Sequence, residues 1–92
     1  METTESIEIG QIVKSNAGRD KGRLFIVFDI IDGKYVMIVD GDLRRLDNPK
    51  KKKIKHLKIY NKVFEEIQSK IQENKKFNNA YVRKLLNSFK EN

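Results

Sequence analysis

The sequence contains no cysteine, which excludes disulfide bonds and thiolate metal sites. It has no apolar run near the roughly 18–20 residues that a membrane-spanning helix needs. The first residues, METTESIEIG, are acidic and polar and do not follow the pattern of a signal peptide. From these absences we expect a protein of the cytoplasm, which is a reducing compartment, with no membrane partner.

Residues suited to catalysis are also scarce. The single histidine, His56, has no neighbouring cysteine or aspartate with which to form a metal site or a catalytic set. The three aspartates in 40–47 lack the glycine and glutamate positions of an EF-hand calcium loop. Gly18 and Gly22 precede a strand pattern, whereas the glycines of a dinucleotide-binding loop precede a helix. We therefore expect no enzyme activity, no cofactor and no metal.

Positive charge is plentiful and unevenly distributed. The chain has 92 residues, the length of one small domain, and a net charge of +7. Residues 1–48 hold 7 Lys/Arg and 9 Asp/Glu, whereas residues 49–92 hold 13 and 4. Such an excess indicates a polyanionic partner, although a lysine-rich surface can also serve solubility alone.

Apolar residues in the first two thirds of the chain alternate with a period of two, which indicates β-strands. Asp32-Gly33 and Asp40-Gly41 are tight-turn signals. Short strands with apolar residues on both faces favour a small barrel with an outer cover, because closure removes exposed sheet edges. The predicted strands are Ile7–Lys14 with a bulge or close approach at Gly10, Arg23–Ile31, Lys34–Asp40, Leu43–Leu46 and a fifth around Ile54, Leu57 and Ile59.

The last third of the chain changes to helical periodicity. Val63, Phe64, Ile67 and Ile71 form one apolar stripe, and a second stripe runs from Tyr81 to Phe89. The pattern predicts helices over 61–74 and 78–90, with Asn61 as the cap of the first and Asn78 or Asn79 as the cap of the second. We expect residues 60–92 to be a helical extension that packs on a barrel formed by residues 7–59.

The stretch IGQIVKSNAGRDKGRLFIVFDI, residues 9–30, resembles a KOW motif, and its most recognisable part is Gly18–Arg23. The continuation from Tyr35 to Ile59, with a Val-Asp-Gly turn, two arginines and a basic segment, is similar to the fourteen-e family of large-subunit ribosomal proteins. The resemblance covers residues 7–59. It implies an SH3-like barrel of five strands that binds RNA, specifically ribosomal RNA or the large ribosomal subunit, as a monomer when free.

Charge and resemblance together predict an RNA-binding surface. Gly18 and Gly22 allow backbone N–H groups to approach a phosphate, and arginine and lysine supply charge-assisted hydrogen bonds. We expect Asp20 to hold the loop by accepting local backbone N–H bonds. We expect the lysine run to be a mobile arm that adds salt-sensitive affinity. The predicted RNA-binding residues are Gly18, Arg19, Asp20, Lys21, Gly22, Arg23, Arg44, Arg45, Lys50, Lys51, Lys52, Lys53, Lys55, His56 and Lys58.

Two other functions remain open from the sequence. A KOW barrel can bind another protein, in which case affinity would depend little on salt and an apolar patch would be exposed. An SH3-like barrel can also bind methylated side chains in an aromatic cage, for which Phe25, Phe28 and Tyr35 are the candidates.

Overall fold

The structure is a computed structural model that describes residues 6–89, so the predicted helix end at Lys90 lies outside the described residues. The strands form one antiparallel sheet in the order β4-β3-β2-β1-β5. Two helices follow the sheet, which confirms the predicted fold class of a mainly β, five-stranded domain with two C-terminal helices. The elements are β1 (Gln11–Ser15), β2 (Leu24–Ile30), β3 (Tyr35–Val39), β4 (Lys50–Lys53), a 3₁₀ helix (Ile54–His56), β5 (Leu57–Val63), α1 (Glu65–Gln72) and α2 (Asn79–Ser88).

The sheet has a hydrophobic cluster on each face. Alternation along β3 and from Leu24 to Phe28 of β2 sends successive residues to opposite faces, as the sequence predicts, and a register shift between Val27 and Asp29 then returns Ile30 to the inner side. The helices cover the outer face, so the second apolar face of the strands is removed from water. The inner cluster contains Ile7, Val13, Phe25, Val27, Val36, Ile38, Ile54 and Leu57. The outer cluster contains Ile12, Ile26, Val39, Phe64, Ile67, Val82 and Leu85.

The fourth strand is not where the sequence analysis places it. Residues 43–46 belong to the β3–β4 connection (residues 40–49) because side chains take their backbone hydrogen bonds. Asp40 Oδ1 accepts from the N–H of Arg44 at 2.7 Å, and Asn79 Oδ1 of α2 accepts from that of Leu46 at 2.8 Å. The fourth strand is instead the lysine run, Lys50–Lys53, which pairs with β3.

The boundary between strand and helix is also later than predicted. Asn61 lies in β5, which runs to Val63 opposite Gln11 of β1, so Asn61 cannot cap a helix. The cap of α1 is Phe64, whose side chain makes no capping hydrogen bond. Of the two predicted caps of α2, the structure selects Asn78, whose Oδ1 accepts from the Tyr81 N–H at 2.9 Å, while Asn79 is the first residue of the helix.

Gly10 marks the predicted close approach. It has a φ of 92°, and a Cβ there would lie 3.0 Å from the carbonyl oxygen of Phe64 and 3.2 Å from Cβ of Gln68. The chain before α1 therefore packs directly on the start of β1, and β1 begins at Gln11 rather than Ile7.

Candidate nucleic-acid interface

The β1–β2 loop (residues 16–23) is held by its own backbone. The Gly22 N–H donates to the carbonyl oxygen of Ser15 at 2.8 Å, and the Arg23 N–H donates to that of Asp20 at 3.0 Å. Gly18 and Gly22 have φ values of 83° and 90°, in the left-handed region that favours glycine. The loop thus has a defined shape before any partner binds.

Charged side chains in this loop alternate in direction. Arg19 and Lys21 are exposed, whereas Asp20 between them is only 3% exposed. The Asp20 Oδ1 atom accepts hydrogen bonds from Ser15 Oγ at 2.8 Å and from Lys52 Nζ at 2.9 Å. Asp20 therefore does hold the loop, chiefly through the side-chain donors Ser15 and Lys52, with its own backbone N–H as a smaller contribution of the local kind that the sequence analysis expects.

Lys52 and Asp20 form a buried ion pair between β4 and the β1–β2 loop. Lys52 lies opposite Val36 on the inner face of the sheet, is 8% exposed, and also donates to the carbonyl oxygen of Ala17 at 2.8 Å. Burial raises the pKa of Asp20, but the hydrogen bonds from Lys52 and Ser15 and the charge of Lys52 outweigh it and lower that pKa below its ordinary value of 3.8. The pair ties the loop to β4.

The prediction that Lys50–Lys53 form a mobile arm is wrong. These residues are the edge strand β4, in which Tyr35 and Lys53, and Met37 and Lys51, are directly opposite one another. Lysine is a common residue on edge strands because its charge opposes pairing with another chain. Lys51 and Lys53 lie on the outer face, whereas Lys52 faces the inner cluster.

Arg23 and the Asp40-Gly41 turn are joined by an ion pair. Asp40 Oδ2 accepts from Arg23 Nε at 3.2 Å and from an Arg23 terminal nitrogen at 2.9 Å, and Asp42 lies 3.3 Å from the same nitrogen. The hydrogen bond to Asp40 raises the pKa of Arg23. Asp40 Oδ1 meanwhile accepts from the N–H groups of Asp42 and Arg44. Arg23 thus joins the end of the β1–β2 loop to the β3–β4 connection.

The remaining predicted RNA-binding residues lie either in the β3–β4 connection or in and beside the 3₁₀ helix. Arg44 is half-buried and Arg45 exposed in the β3–β4 connection. His56 is half-buried, and its carbonyl oxygen accepts from the Asn16 N–H at 2.8 Å, which brings the 3₁₀ helix against the β1–β2 loop. Lys55 and Lys58 are exposed on either side of it. We call the exposed side chains of Arg19, Lys21, Lys55 and Lys58 the loop surface.

Sequence reasoning missed Lys14 as a neighbour of this surface. Lys14 of β1 lies directly opposite Lys58 of β5, so the two side chains share a face. The alternation along β1 could have identified Lys14. It turns Val13 and Ser15 to one face and Lys14 to the other, at the end of the strand beside the loop.

The three aromatic residues proposed as a methyl-lysine cage are not brought together. Phe25 is fully buried in the inner cluster, whereas Phe28 packs against the outer cluster. Tyr35 lies on the outer face beside Lys51 and Lys53. Strand alternation separates Phe25 from the other two, so these three rings cannot enclose one cation.

Within residues 6–89, no group of three His, Asp or Glu side chains is arranged to hold a metal ion. In the same part of the chain, no helix has the length and hydropathy required to cross a membrane.

Comparison with known proteins gives two informative similarities, while no family model matches the chain. The chain is 36% identical over 73 residues to "Putative ribosome-binding protein YbzG" of Bacillus subtilis (strain 168), a match that covers 79% of this chain and 99% of that protein. It is 43% identical over 54 residues to "Large ribosomal subunit protein eL14" of Desulfurococcus amylolyticus, which covers 56% of this chain and 54% of that protein. The second match therefore spans about half of each chain.

Proposed function

Because the chain belongs to the family of the Bacillus subtilis protein YbzG, we propose that it binds the ribosome. More specifically, we propose that it contacts structured ribosomal RNA through the loop surface, as a binding protein without catalytic activity and as a monomer when free. A cytoplasmic location is part of this proposal, because that is where a ribosomal partner would be met. The similarity to a large-subunit ribosomal protein and the KOW-like pattern of Gly18–Arg23 both support this role.

The observation that carries the proposal is the alternation of Arg19, Asp20 and Lys21. An exposed aspartate between two cations would repel a phosphate, but Asp20 is buried and its charge is compensated by Lys52. Only the cations of this triplet reach solvent, on a loop whose backbone is already ordered. Cations on an ordered backbone bind phosphate oxygens without first paying the entropy of ordering the loop.

Lys55 and Lys58 extend the same surface beyond the loop. The Asn16–His56 hydrogen bond and the pairing of Ser15 with Leu57 hold the segment that carries these lysines against the loop. Phosphate contacts of this kind determine the position and orientation of the protein on RNA and carry no base sequence directly.

The test is a titration of ribosomal RNA fragments and intact ribosomal subunits at several salt concentrations. The Arg19→Ala/Lys21→Ala variant removes two exposed cations from the ordered loop. Each of the two replacements should cost about 1.5–3 kcal/mol of binding free energy, the range for hydrogen bonds to charged groups. The salt dependence should also become shallower by just under one unit of log Kd per log salt for each lost phosphate contact.

The matched control is Lys75→Ala/Lys76→Ala. These two exposed lysines lie between α1 and α2, and their replacement removes the same net charge. Near Lys75, the structure places Phe28 and Asp29 of β2, toward the end of that strand remote from the β1–β2 loop. Equal losses for both double variants would contradict a positioned loop surface. Binding of ribosomal subunits that is insensitive to salt would favour the protein-binding alternative.

A further inference from the structure

Tyr35 stands apart from the other aromatic residues. The sequence has five phenylalanines and three tyrosines, all of which lie within the described residues. Seven of these rings belong to or pack against the inner or the outer cluster, and Tyr35 is in neither. Its ring is therefore a half-buried aromatic surface on the outer face of β3 that does not contribute to either described core.

Two cations of β4 lie over this ring. The Lys51 Nζ is 4.6 Å from the ring centroid and the Lys53 Nζ is 5.7 Å from it. Like charges on one face of a sheet repel one another, and Lys34 adds a third cation next to Tyr35 in the chain. We call Tyr35, Lys51 and Lys53 the tyrosine patch.

The backbone beneath the ring is fixed. Asp32 Oδ1 accepts from the N–H groups of Lys34 at 2.8 Å and Tyr35 at 3.0 Å, and the Tyr35 carbonyl oxygen accepts from the Ile31 N–H at 3.0 Å. On the other side, Tyr35 lies opposite Lys53 of β4. The ring thus has an ordered support, which lowers the entropy cost of using it for binding.

We propose that the tyrosine patch binds an unpaired nucleotide of RNA, with the base stacked on Tyr35 and the neighbouring phosphates bound by Lys51 and Lys53. This inference rests on the proposed function and extends it, because it adds a single-stranded contact to the phosphate contacts of the loop surface. An aromatic ring flanked by cations suits this ligand, since every base has a π-face and every linkage a negative charge. The flexible lysine side chains exchange the ring face for phosphate when RNA binds, which also relieves their mutual repulsion.

The test compares two polyanions, an octaribonucleotide without base pairing and inorganic polyphosphate of the same charge. Tyr35→Leu should bind the octaribonucleotide roughly 5- to 150-fold more weakly, the fold-change for losing one base stack. It should bind polyphosphate as the wild type does, because that ligand has no bases. Tyr35→Phe keeps the ring and should retain the affinity. Lys51→Ala should weaken both ligands, because it removes a phosphate contact.

Thermal melting shows whether each variant is folded, and Tyr35→Thr, which keeps a β-forming residue, replaces Tyr35→Leu if the latter unfolds. Unchanged octaribonucleotide affinity in the folded variant, or an equal loss for polyphosphate, would overturn the stacking role. Binding of the Arg19→Ala/Lys21→Ala variant to structured ribosomal RNA is measured in parallel. If that binding is lost while Tyr35→Leu changes nothing, only the stacking inference fails. If ribosomal RNA is not bound at all, the proposed function fails with it.

Discussion

Replacing Lys52 by methionine should destabilise the protein far more than the same change at any exposed lysine. Methionine keeps a long, unbranched side chain but removes the ammonium group. Asp20 would then stay buried, at 3% exposure, with Ser15 as the remaining side-chain donor in the described contacts. The wild-type lysine is itself only 8% exposed, so water cannot take its place beside Asp20 without a local opening of the structure.

The expected loss in free energy of unfolding is about 3–5 kcal/mol, the range for removing one partner of a buried ion pair. A domain of this kind has a total stability of about 5–15 kcal/mol, so the change is a large fraction of the whole. Asp20→Asn removes the other charge, and the double variant Asp20→Asn/Lys52→Met leaves neither charge unpaired. The free energy of unfolding of the double variant should therefore fall by less than the sum of the two single-variant decreases, and the difference should be about 0.5–3 kcal/mol.

Urea denaturation followed by circular dichroism measures these differences, because the chain has no tryptophan to report unfolding by fluorescence. Lys51→Met is the matched control on the same strand, where the side chain is exposed, and it should change the stability by no more than about 0.5 kcal/mol. Indistinguishable midpoints for Lys52→Met and Lys51→Met would refute the buried pair and restore the idea of a solvated lysine arm.

Three further predictions concern stability. Folding lowers the pKa of Asp20, so the ionised carboxylate stabilises the protein fully above the ordinary value of 3.8, and this stabilisation is lost as pH falls through the folded value. The difference in free energy of unfolding between the wild type and Asp20→Asn, measured by urea titration, should therefore become smaller below about pH 3.8. Gly41→Ala should lower the free energy of unfolding by about 1–3 kcal/mol, because φ is 77° and a Cβ would collide with the Asn79 carbonyl oxygen of α2. Gly33→Ala is the control and should melt as the wild type does, because nothing lies near its Cβ. Ile67→Ala should cost about 2–5 kcal/mol by emptying a fully buried site in the outer cluster, and an unchanged melting temperature would mean that α1 does not pack on the sheet.

The sequence predicts those parts of the fold that depend on close neighbours in the chain. The alternation in β2 and β3, the two Asp-Gly turns and the apolar stripes of the helices are local patterns, and each corresponds to an observed element. The boundary after β5 is less predictable, because Asn61 is a good helix cap by propensity. The pairing of Val63 with Gln11, far away in the chain, overrides that preference.

For the candidate site, the sequence identified the charged loop but not the roles of its members. Local composition is enough to predict that Arg19 and Lys21 are exposed cations on a glycine-flanked turn. It does not predict that Arg23 forms an ion pair with Asp40. Nor does it predict that the Tyr35 ring lies beside Lys51 and Lys53, since such contacts form only when the strands are in register.

What the sequence by itself determined is the alternation of apolar and polar residues, and with it the two faces of the sheet and the helical cover of one of them. Only the tertiary structure decided that the lysine run is a strand and that Lys52 and Asp20 are buried. Lys52 and Asp20 are 32 residues apart, and nothing in the local sequence marks Lys52 among the other lysines of the run, or Asp20 within its charged loop, as buried. Lys52 becomes a buried cation because β4 pairs with β3 in a register that turns its side chain inward. Asp20 becomes its counter-ion, since a buried charge is stable only beside a charge of opposite sign.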